Sequence, residues 1–228
     1  MKVTKAIVTA MKEEADIIVE KFGLKETLQK WTLTIYEGEY KTEDGTDIIV
    51  LALAGIGKIC AAMATTYLFE NYEIHKLINV GIAGNMWNVD IKVWDVFIPN
   101  TFIQHDMYLP FEWAHLDYAK KPIFLEYAIG QNLDLTKFGL VMNGLCITGD
   151  QFIDDAEKVA DLKDKFEADI CEMEAFAILS VAREYDALDK CVVIKAVSDG
   201  ADSDAKDAHM DNLQFAMNNS VIVLEFVL

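Results

Sequence analysis

The chain has 228 residues, 53% of them hydrophobic and 25% charged, a balance that buries a sizeable core and excludes a disordered chain. Its 38 acidic side chains against 20 basic ones give a formal net charge of −18 at pH 7. That charge argues against nucleic acid and anionic membranes as partners, because affinity for either rests on lysine and arginine.

No linker, low-complexity tract or internal repeat divides residues 1–228, which read as one domain. Residues 1–11 carry Lys2 and Lys5 and only a short apolar run before Lys12-Glu13-Glu14, without the h-region of a signal peptide. The apolar stretch 48–64 is interrupted by Gly55, Gly57 and Lys58 and is too broken for a membrane span. A cytoplasmic protein is expected.

Residues 5–11 predict a buried strand that passes directly into a helix with the stripe Ala15, Ile18, Val19, Phe22. Met11, Lys12, Glu13 and Glu14 thus fall on a strand-to-helix turn, and in open α/β sheets ligands gather at the carboxyl ends of strands. Glu14 there is either a helix cap or a site acid. Residues 31–39 and 46–54 alternate as strands around the polar turn Thr42-Glu43-Asp44-Gly45. The second runs into Ala54-Gly55-Ile56-Gly57-Lys58 and a helix over 59–69. Two glycines let a backbone approach a ligand closely, but this pair lacks the third glycine of a dinucleotide fingerprint and the Gly-Lys-Ser/Thr of a phosphate loop.

Residues 77–83 predict another strand, ending in Gly81-Ile82-Ala83-Gly84-Asn85, and 93–99 and 101–107 predict two more. The loop over 105–113, with Met107, Tyr108, Leu109, Phe111 and Trp113, is rich in large apolar side chains and reads as a subunit interface. A helix is expected over 124–132, where Leu125, Ala128 and Ile129 share a face. Residues 138–148 predict a strand that ends in Thr148-Gly149-Asp150-Gln151-Phe152-Ile153; a helix carrying Val159, Leu162 and Phe166 follows, capped by Asp154 and Asp155. Phe152 is a candidate stacking platform for a flat ligand, against the commoner fate of a buried loop aromatic.

In Cys171-Glu172-Met173-Glu174-Ala175-Phe176 an apolar alternation gives way to the helical stripe Met173, Phe176, Ala177, Ser180, Val181. The backbone dipole favours carboxylates at such a start by about 0.3–1 kcal/mol, so first-turn stabilisation competes with a site role for Glu172 and Glu174. Glu174, flanked by Met173 and Phe176, faces an apolar pocket in this reading, where carboxylates acquire chemistry. Residues 190–197 predict a strand that breaks at Ser198-Asp199-Gly200-Ala201-Asp202, with Asp199 just past its end. A last helix places Leu213, Ala216, Met217, Ser220, Val221 and Leu224 on one face. The alternation implies an α/β three-layer sandwich on a mixed, largely parallel central sheet. Cys60, Cys146, Cys171 and Cys191 are isolated, and His75, His105, His115 and His209 lack ligand spacing, so no disulfide, metal or cofactor is expected.

Seven motifs, in order, resemble the bacterial 5′-methylthioadenosine/S-adenosylhomocysteine nucleosidases: Ala10-Met11-Lys12-Glu13-Glu14, Gly55-Ile56-Gly57-Lys58, Gly81-Ile82-Ala83-Gly84, His105-Asp106, Thr148 to Ile153, Glu172-Met173-Glu174-Ala175 and Ser198 to Asp202. The resemblance implies a nucleoside phosphorylase-like fold and a homodimer of the methionine-salvage type that cleaves the N-ribosidic bond to adenine and an S-substituted ribose. It implies Glu14 as the base activating water, Glu174 as the ligand of the ribose hydroxyls and Asp199 as the acid protonating adenine. Phe152 would stack on the purine, the Ile153 backbone would read its edge, and Met173 would line the ribose. Ile82, Ala83, Gly84, Glu172 and Ser198 complete the substrate-binding set. Met11, with Met107 of the partner subunit and its Leu109–Phe111 stretch, would enclose the 5′-alkylthio group.

The chemistry suits these residue types. Adenine is a poor leaving group, so an acid must protonate its N7 as the bond lengthens; near neutrality that acid needs a pKa raised well above about 3.9. Positive charge then builds on the ribose and is stabilised by anions, as in glycoside hydrolysis. A phosphorylase is the rival reading, but the superfamily's phosphorylases hold phosphate with arginines, one in a segment resembling Val93-Trp94-Asp95-Val96. This chain has Trp94 there and a single arginine, Arg183, nine residues after Glu174 and half a turn out of phase with it. Water is the expected nucleophile. Hydrolysis of 6-amino-6-deoxyfutalosine is a possible additional activity, and a non-catalytic binding protein would be expected to have lost one of Glu14, Glu174 and Asp199. Ile82 replaces a small polar residue and Asn85 a glycine of many members, and residues 203–212 do not align, leaving Met210 and Phe215 as candidates to cover the base.

Overall fold

All six residues of β1 (Thr4–Thr9) are buried, as a strand with neighbours on both edges and helices over both faces requires. The computed structural model describes residues 4–42, 45–111, 113–127, 139–201 and 204–228. After β1 come α1 (Lys12–Phe22), β2 (Lys25–Gln29), β3 (Thr34–Thr42), β4 (Gly45–Leu53), α2 (Lys58–Asn71) and β5 (Ile74–Asn85). Then follow β6 (Val96–Ile98), β7 (Thr101–Gln104), α3 (Asp117–Lys120), β8 (Ile123–Phe124), β9 (Val141–Met142) and β10 (Leu145–Thr148). The chain closes with α4 (Ala156–Phe166), β11 (Ile170–Glu172), α5 (Ala175–Glu184), β12 (Cys191–Asp199) and α6 (Ala205–Val227).

The strands form one mixed sheet in the order β2-β3-β4-β1-β5-β11-β10-β7-β8, with β12, β6 and β9 branching from β5. Among the described residues, six of its eleven pairings are parallel. Helices α2 and α5 bury Leu68, Phe176 and Leu179 over one face, while α1 and α6 bury Ile18, Leu213, Met217 and Leu224 over the other. This is the three-layer α/β sandwich. Among the described residues no helix is long and apolar enough to cross a membrane.

The sheet forks at β5. One edge of β5 pairs with β1 only as far as Val8–Asn79, its other edge pairs with β12 along Leu77–Ala83, and its last residues, Gly84 and Asn85, pair antiparallel with β11. Between the end of β1 and the start of the β11 pairing, residues 80–83 of β5 have no strand on that edge among the described residues. A cleft opens there.

Several expected elements are corrected. The strand expected over 31–39 begins at Thr34, with Trp31 fully exposed before it, and β2 was not expected because its almost wholly exposed Lys-Glu-Thr-Leu-Gln has no apolar alternation. The strands expected over 93–99 and 101–107 shrink to three and four residues: Trp94 adopts φ +77, and Asp106 is drawn toward Lys58 and the Asp150 N–H. Phe124, expected in a helix, lies in β8, and Ala128 and Ile129 fall outside the described residues. The strand over 138–148 splits into β9 and β10 where Asn143 and Gly144 take φ +70 and +114. Helix α5 starts at Ala175, so Met173 precedes it, and its buried face is Ala175, Phe176, Ala177, Ile178, Leu179 and Ala182, with Ser180 and Val181 half-buried. Asp155 alone caps α4, accepting from the Glu157 and Lys158 N–H groups. Asp199 is the last residue of β12, not one past it.

Candidate active site

Glu14 is both cap and site acid. One carboxylate oxygen accepts from the Thr9 hydroxyl at 2.5 Å and from the Ala10 and Met11 N–H groups at 3.0 Å each, closing the exposed start of α1. The other accepts from the Ile82 N–H at 3.2 Å, on β5 beyond its last pair with β1. Four donors on two elements fix the orientation of a side chain only 3% exposed.

Glu172 and Glu174 share one cation. Lys195, in the middle of β12 and 2% exposed, lies 2.9 Å from Glu172 Oε2 and 4.0 Å from Glu174 Oε2. Burial alone would push the Glu172 carboxyl up, but Lys195, the Thr148 hydroxyl and the Ala175 N–H together hold it below the usual value. Glu174 carries the deficit: burial and the neighbouring negative charge of Glu172 push its carboxyl up to about 7, against the pull of Lys195 and the Gly57 N–H. Burial opposes a charge on Lys195 as well, yet Glu172, Glu174 and Glu14 raise its pKa above the ordinary lysine value. Glu172 Oε2 also accepts from the Glu174 and Ala175 N–H groups at 3.0 and 2.8 Å, so it caps α5 from the preceding strand.

The glycine turn before α2 serves these carboxylates. Gly57, at φ +94, turns its N–H onto Glu174 Oε1 at 2.8 Å, and a Cβ there would meet Asp150 Oδ1 at 2.9 Å. Lys58 is engaged elsewhere, its Nζ on Asp106 at 2.6 Å and its N–H on Asp150 Oδ1 at 2.8 Å. A phosphate cradle is therefore not what this turn builds. Gly81 is fixed by the same cluster, since a Cβ on it would come 2.9 Å from Glu14 Oε1 and 3.4 Å from Lys195 Nζ.

Asp199 is 3% exposed, with Oδ1 accepting from the Ala201 N–H at 2.9 Å and Oδ2 from the Ser198 hydroxyl at 2.6 Å. A Cβ at Gly84 would crowd Oδ1 at 2.9 Å, so that glycine leaves room for the acid. His209, in the second turn of α6, brings Nδ1 to 3.5 Å from Asp199 Oδ2 and sets its ring edge-on to Phe152 at 5.4 Å.

Glu14, Glu172, Glu174, Asp199 and His209 line one open cleft. Met11, Glu14, Ile82, Ala83, Gly84, Phe152, Ile153, Glu172, Met173, Glu174, Ser198 and Asp199 all lie on its wall. Phe152, 43% exposed, stands at the mouth instead of being buried, while the neighbouring Ile153 is buried. Met107, Leu109 and Phe111 do not line this cleft; Met107 and Phe111 are 45% and 46% exposed, and the Phe111 ring stacks on Trp113 at 4.8 Å. Met210 and Phe215 do not cover it either: each is 67% exposed, and Phe215 packs against Trp94 at 5.8 Å, one turn and more along α6 from the residue that faces inward, His209. Sequence reasoning missed His209 and Lys195. The signal for Lys195 was present in the apolar run Cys191–Asp199, where a lysine inside a strand buried on both faces requires a buried counter-charge.

A forked α/β sheet with an acid-lined pocket at the fork defines a class, and the chain matches the family model of the phosphorylase superfamily over residues 4–228; it belongs to that superfamily. Within it, the chain is similar to the 5′-methylthioadenosine/S-adenosylhomocysteine nucleosidase of Bacillus cereus (strain G9842), 32% identical over 96% of this chain and 97% of that protein. It is similar too to the crystal structure of the enzyme of that name from Neisseria meningitidis in complex with methylthio-immucillin-A, with a TM-score of 0.84 and 28% identity over 98% of each chain. The Helicobacter pylori enzyme of that name with butyl-thio-DADMe-Immucillin-A shares the fold, with a TM-score of 0.87 at 23% identity over 100% of this chain and 98% of that one.

Proposed function

We propose that this protein hydrolyses the N-ribosidic bond of 5′-methylthioadenosine and S-adenosylhomocysteine, releasing adenine and the S-substituted ribose. The observation that carries the reading is the convergence of Glu14, Glu174 and Asp199 on one cleft, each held by backbone N–H groups, with Phe152 at its mouth. Asp199 protonates N7 of adenine stacked on Phe152, while the Ile153 backbone reads the purine edge. As the bond lengthens, Glu174 holds the ribose hydroxyls and its negative charge offsets the cation building on the sugar. Glu14 takes the proton of the attacking water, oriented by four donors so that no reorganisation is needed at the moment of attack. Met173 packs on the ribose. Met11 begins an apolar 5′ subsite that suits a thioether and is completed by the Met107–Phe111 face of a second copy in a homodimer. The single domain works in the cytoplasm, in methionine salvage.

Water is favoured over phosphate by the cations available. Arg183 lies on α5 within 4.0 Å of Glu184 and does not line the cleft, Lys58 is paired with Asp106, and Lys195 is spent on Glu172 and Glu174. Adenine release from methylthioadenosine in phosphate-free buffer tests this directly. Full-rate release with no response to added phosphate is expected; cleavage that appears only with phosphate would replace the hydrolase by a phosphorylase.

A pH dependence follows from Glu174. Its carboxyl, raised to about 7, must be ionised to grip the diol, so kcat/KM is expected to fall about tenfold per pH unit below neutrality. Ribose hydroxyls donating to the carboxylate favour its charged form, so the acid limb of kcat lies at lower pH than that of kcat/KM. Coincident limbs in a steady-state pH series would count against Glu174 as the diol ligand.

A further inference from the structure

This step rests on the nucleosidase reading above. In each turnover Glu14 gains a proton from water and Asp199 gives one to the purine, so Asp199 must be recharged before the next. Asp199 is 3% exposed, walled by Ser198, Ala201 and Gly84. His209, on the wall of the same cleft, holds Nδ1 3.5 Å from Asp199 Oδ2 and 3.4 Å from the Ser198 hydroxyl, with its side chain 17% exposed. It joins the buried acid to solvent. The other ionisable groups on that wall are Glu14, Cys171, Glu172 and Glu174. Glu14 is held by Thr9 and three backbone N–H groups and Glu172 and Glu174 by Lys195, while burial and the nearby Asp199 push the Cys171 thiol well up, so that it keeps its proton.

We infer that His209 recharges Asp199. The N–H bond at Nδ1 of the His209 imidazolium breaks as an O–H bond forms at Asp199 Oδ2, the neutral imidazole left behind takes a proton from solvent, and the Asp199 O–H bond later breaks as N7–H forms on the leaving purine. His209 acts through Asp199 and touches no reacting atom, so it is a positioning residue that also moves a proton.

The test is adenine release by His209→Ala and His209→Phe in phosphate-free buffer, with and without added imidazole. In both variants kcat is expected to fall between about 10-fold and 100-fold, at most the lower limit of what a proton donor in direct contact with substrate contributes, with KM within about threefold. Imidazole is expected to restore kcat in His209→Ala and to leave Asp199→Asn unchanged. His209→Phe keeps an aromatic ring against Phe152, so slowing in His209→Ala alone would mark lost packing and overturn the inference. An unchanged kcat, a loss confined to KM, or no response of a normally folded His209→Ala to imidazole would overturn it as well. Wild-type release is the control for the underlying reading: its absence overturns both, whereas an active wild type with unimpaired variants overturns the role of His209 alone.

Discussion

Asp199→Asn is expected to lower kcat for adenine release by about 10²–10⁴-fold, the range a general acid contributes, while the protein stays folded. The amide is nearly isosteric with the carboxyl. Its oxygen can keep the Ala201 N–H now held by Oδ1 at 2.9 Å, and its NH₂ can donate to the Ser198 hydroxyl, which accepts as readily as it donates. The stability change is therefore small, within about 1 kcal/mol, because both hydrogen bonds keep a partner. What the amide lacks is a proton acidic enough to pass to N7. KM is expected to change little, since in the proposed reading Phe152 and the Ile153 backbone, not Asp199, hold the purine. Steady-state adenine release and thermal unfolding of the same preparation separate the two effects. A variant that keeps more than a tenth of wild-type kcat would remove Asp199 as the acid, and one that loses activity together with its unfolding transition would make it structural.

The three acids were legible because strand ends, helix starts and carboxylates are all local features. Glu14, Glu174 and Asp199 each sit where an apolar run stops, and long-range folding only had to bring those ends together. Helix α6 was legible for a similar reason: Leu213, Ala216, Met217, Ser220, Val221 and Leu224 are all buried, because its 23 residues lie over β12 and β5 with one face inward. Helix α5 was not. Its flanking residues include apolar side chains on more than one face, so the stripe could be drawn through Val181 when the buried row runs through Ile178 and Ala182.

What the chain order hid was which residue answers which. The Gly55–Gly57 turn looks like a ligand cradle, and only the fold shows that its N–H is aimed at a glutamate 117 positions away. The residue of α6 that faces the cleft was sought in Met210 and Phe215, but helix phase selects His209, since Met210 and Phe215 point outward at the register that buries Leu213 and Ala216. Strand β2 escaped because an edge strand held by one neighbour carries no burial pattern to read.

Lys195→Met is expected to cost about 3–5 kcal/mol at pH 8, as removal of one member of a buried ion cluster does, a large part of the roughly 5–15 kcal/mol that holds a domain of ordinary stability. Lys195 is the cation within 4.0 Å of both Glu172 and Glu174, and methionine supplies volume but no charge. Without it, burial governs both carboxyls and raises them. A carboxyl whose pKa is higher folded than unfolded adds stability that is fully present below the unfolded value and is lost as pH rises through the folded one. The variant is accordingly expected to approach wild type in mild acid and to fall furthest behind it at alkaline pH. Adding Glu172→Gln should recover part of the deficit at pH 8, because one buried charge is removed while the Glu174 and Ala175 N–H groups keep an acceptor at 3.0 and 2.8 Å. Activity falls for a second reason: a Glu174 raised above about 7 is neutral at physiological pH and cannot counter a cationic sugar. Urea unfolding of the single and double variants at pH 5.5 and pH 8 decides it; an equal loss at both pH values would mean that Lys195 contributes packing alone.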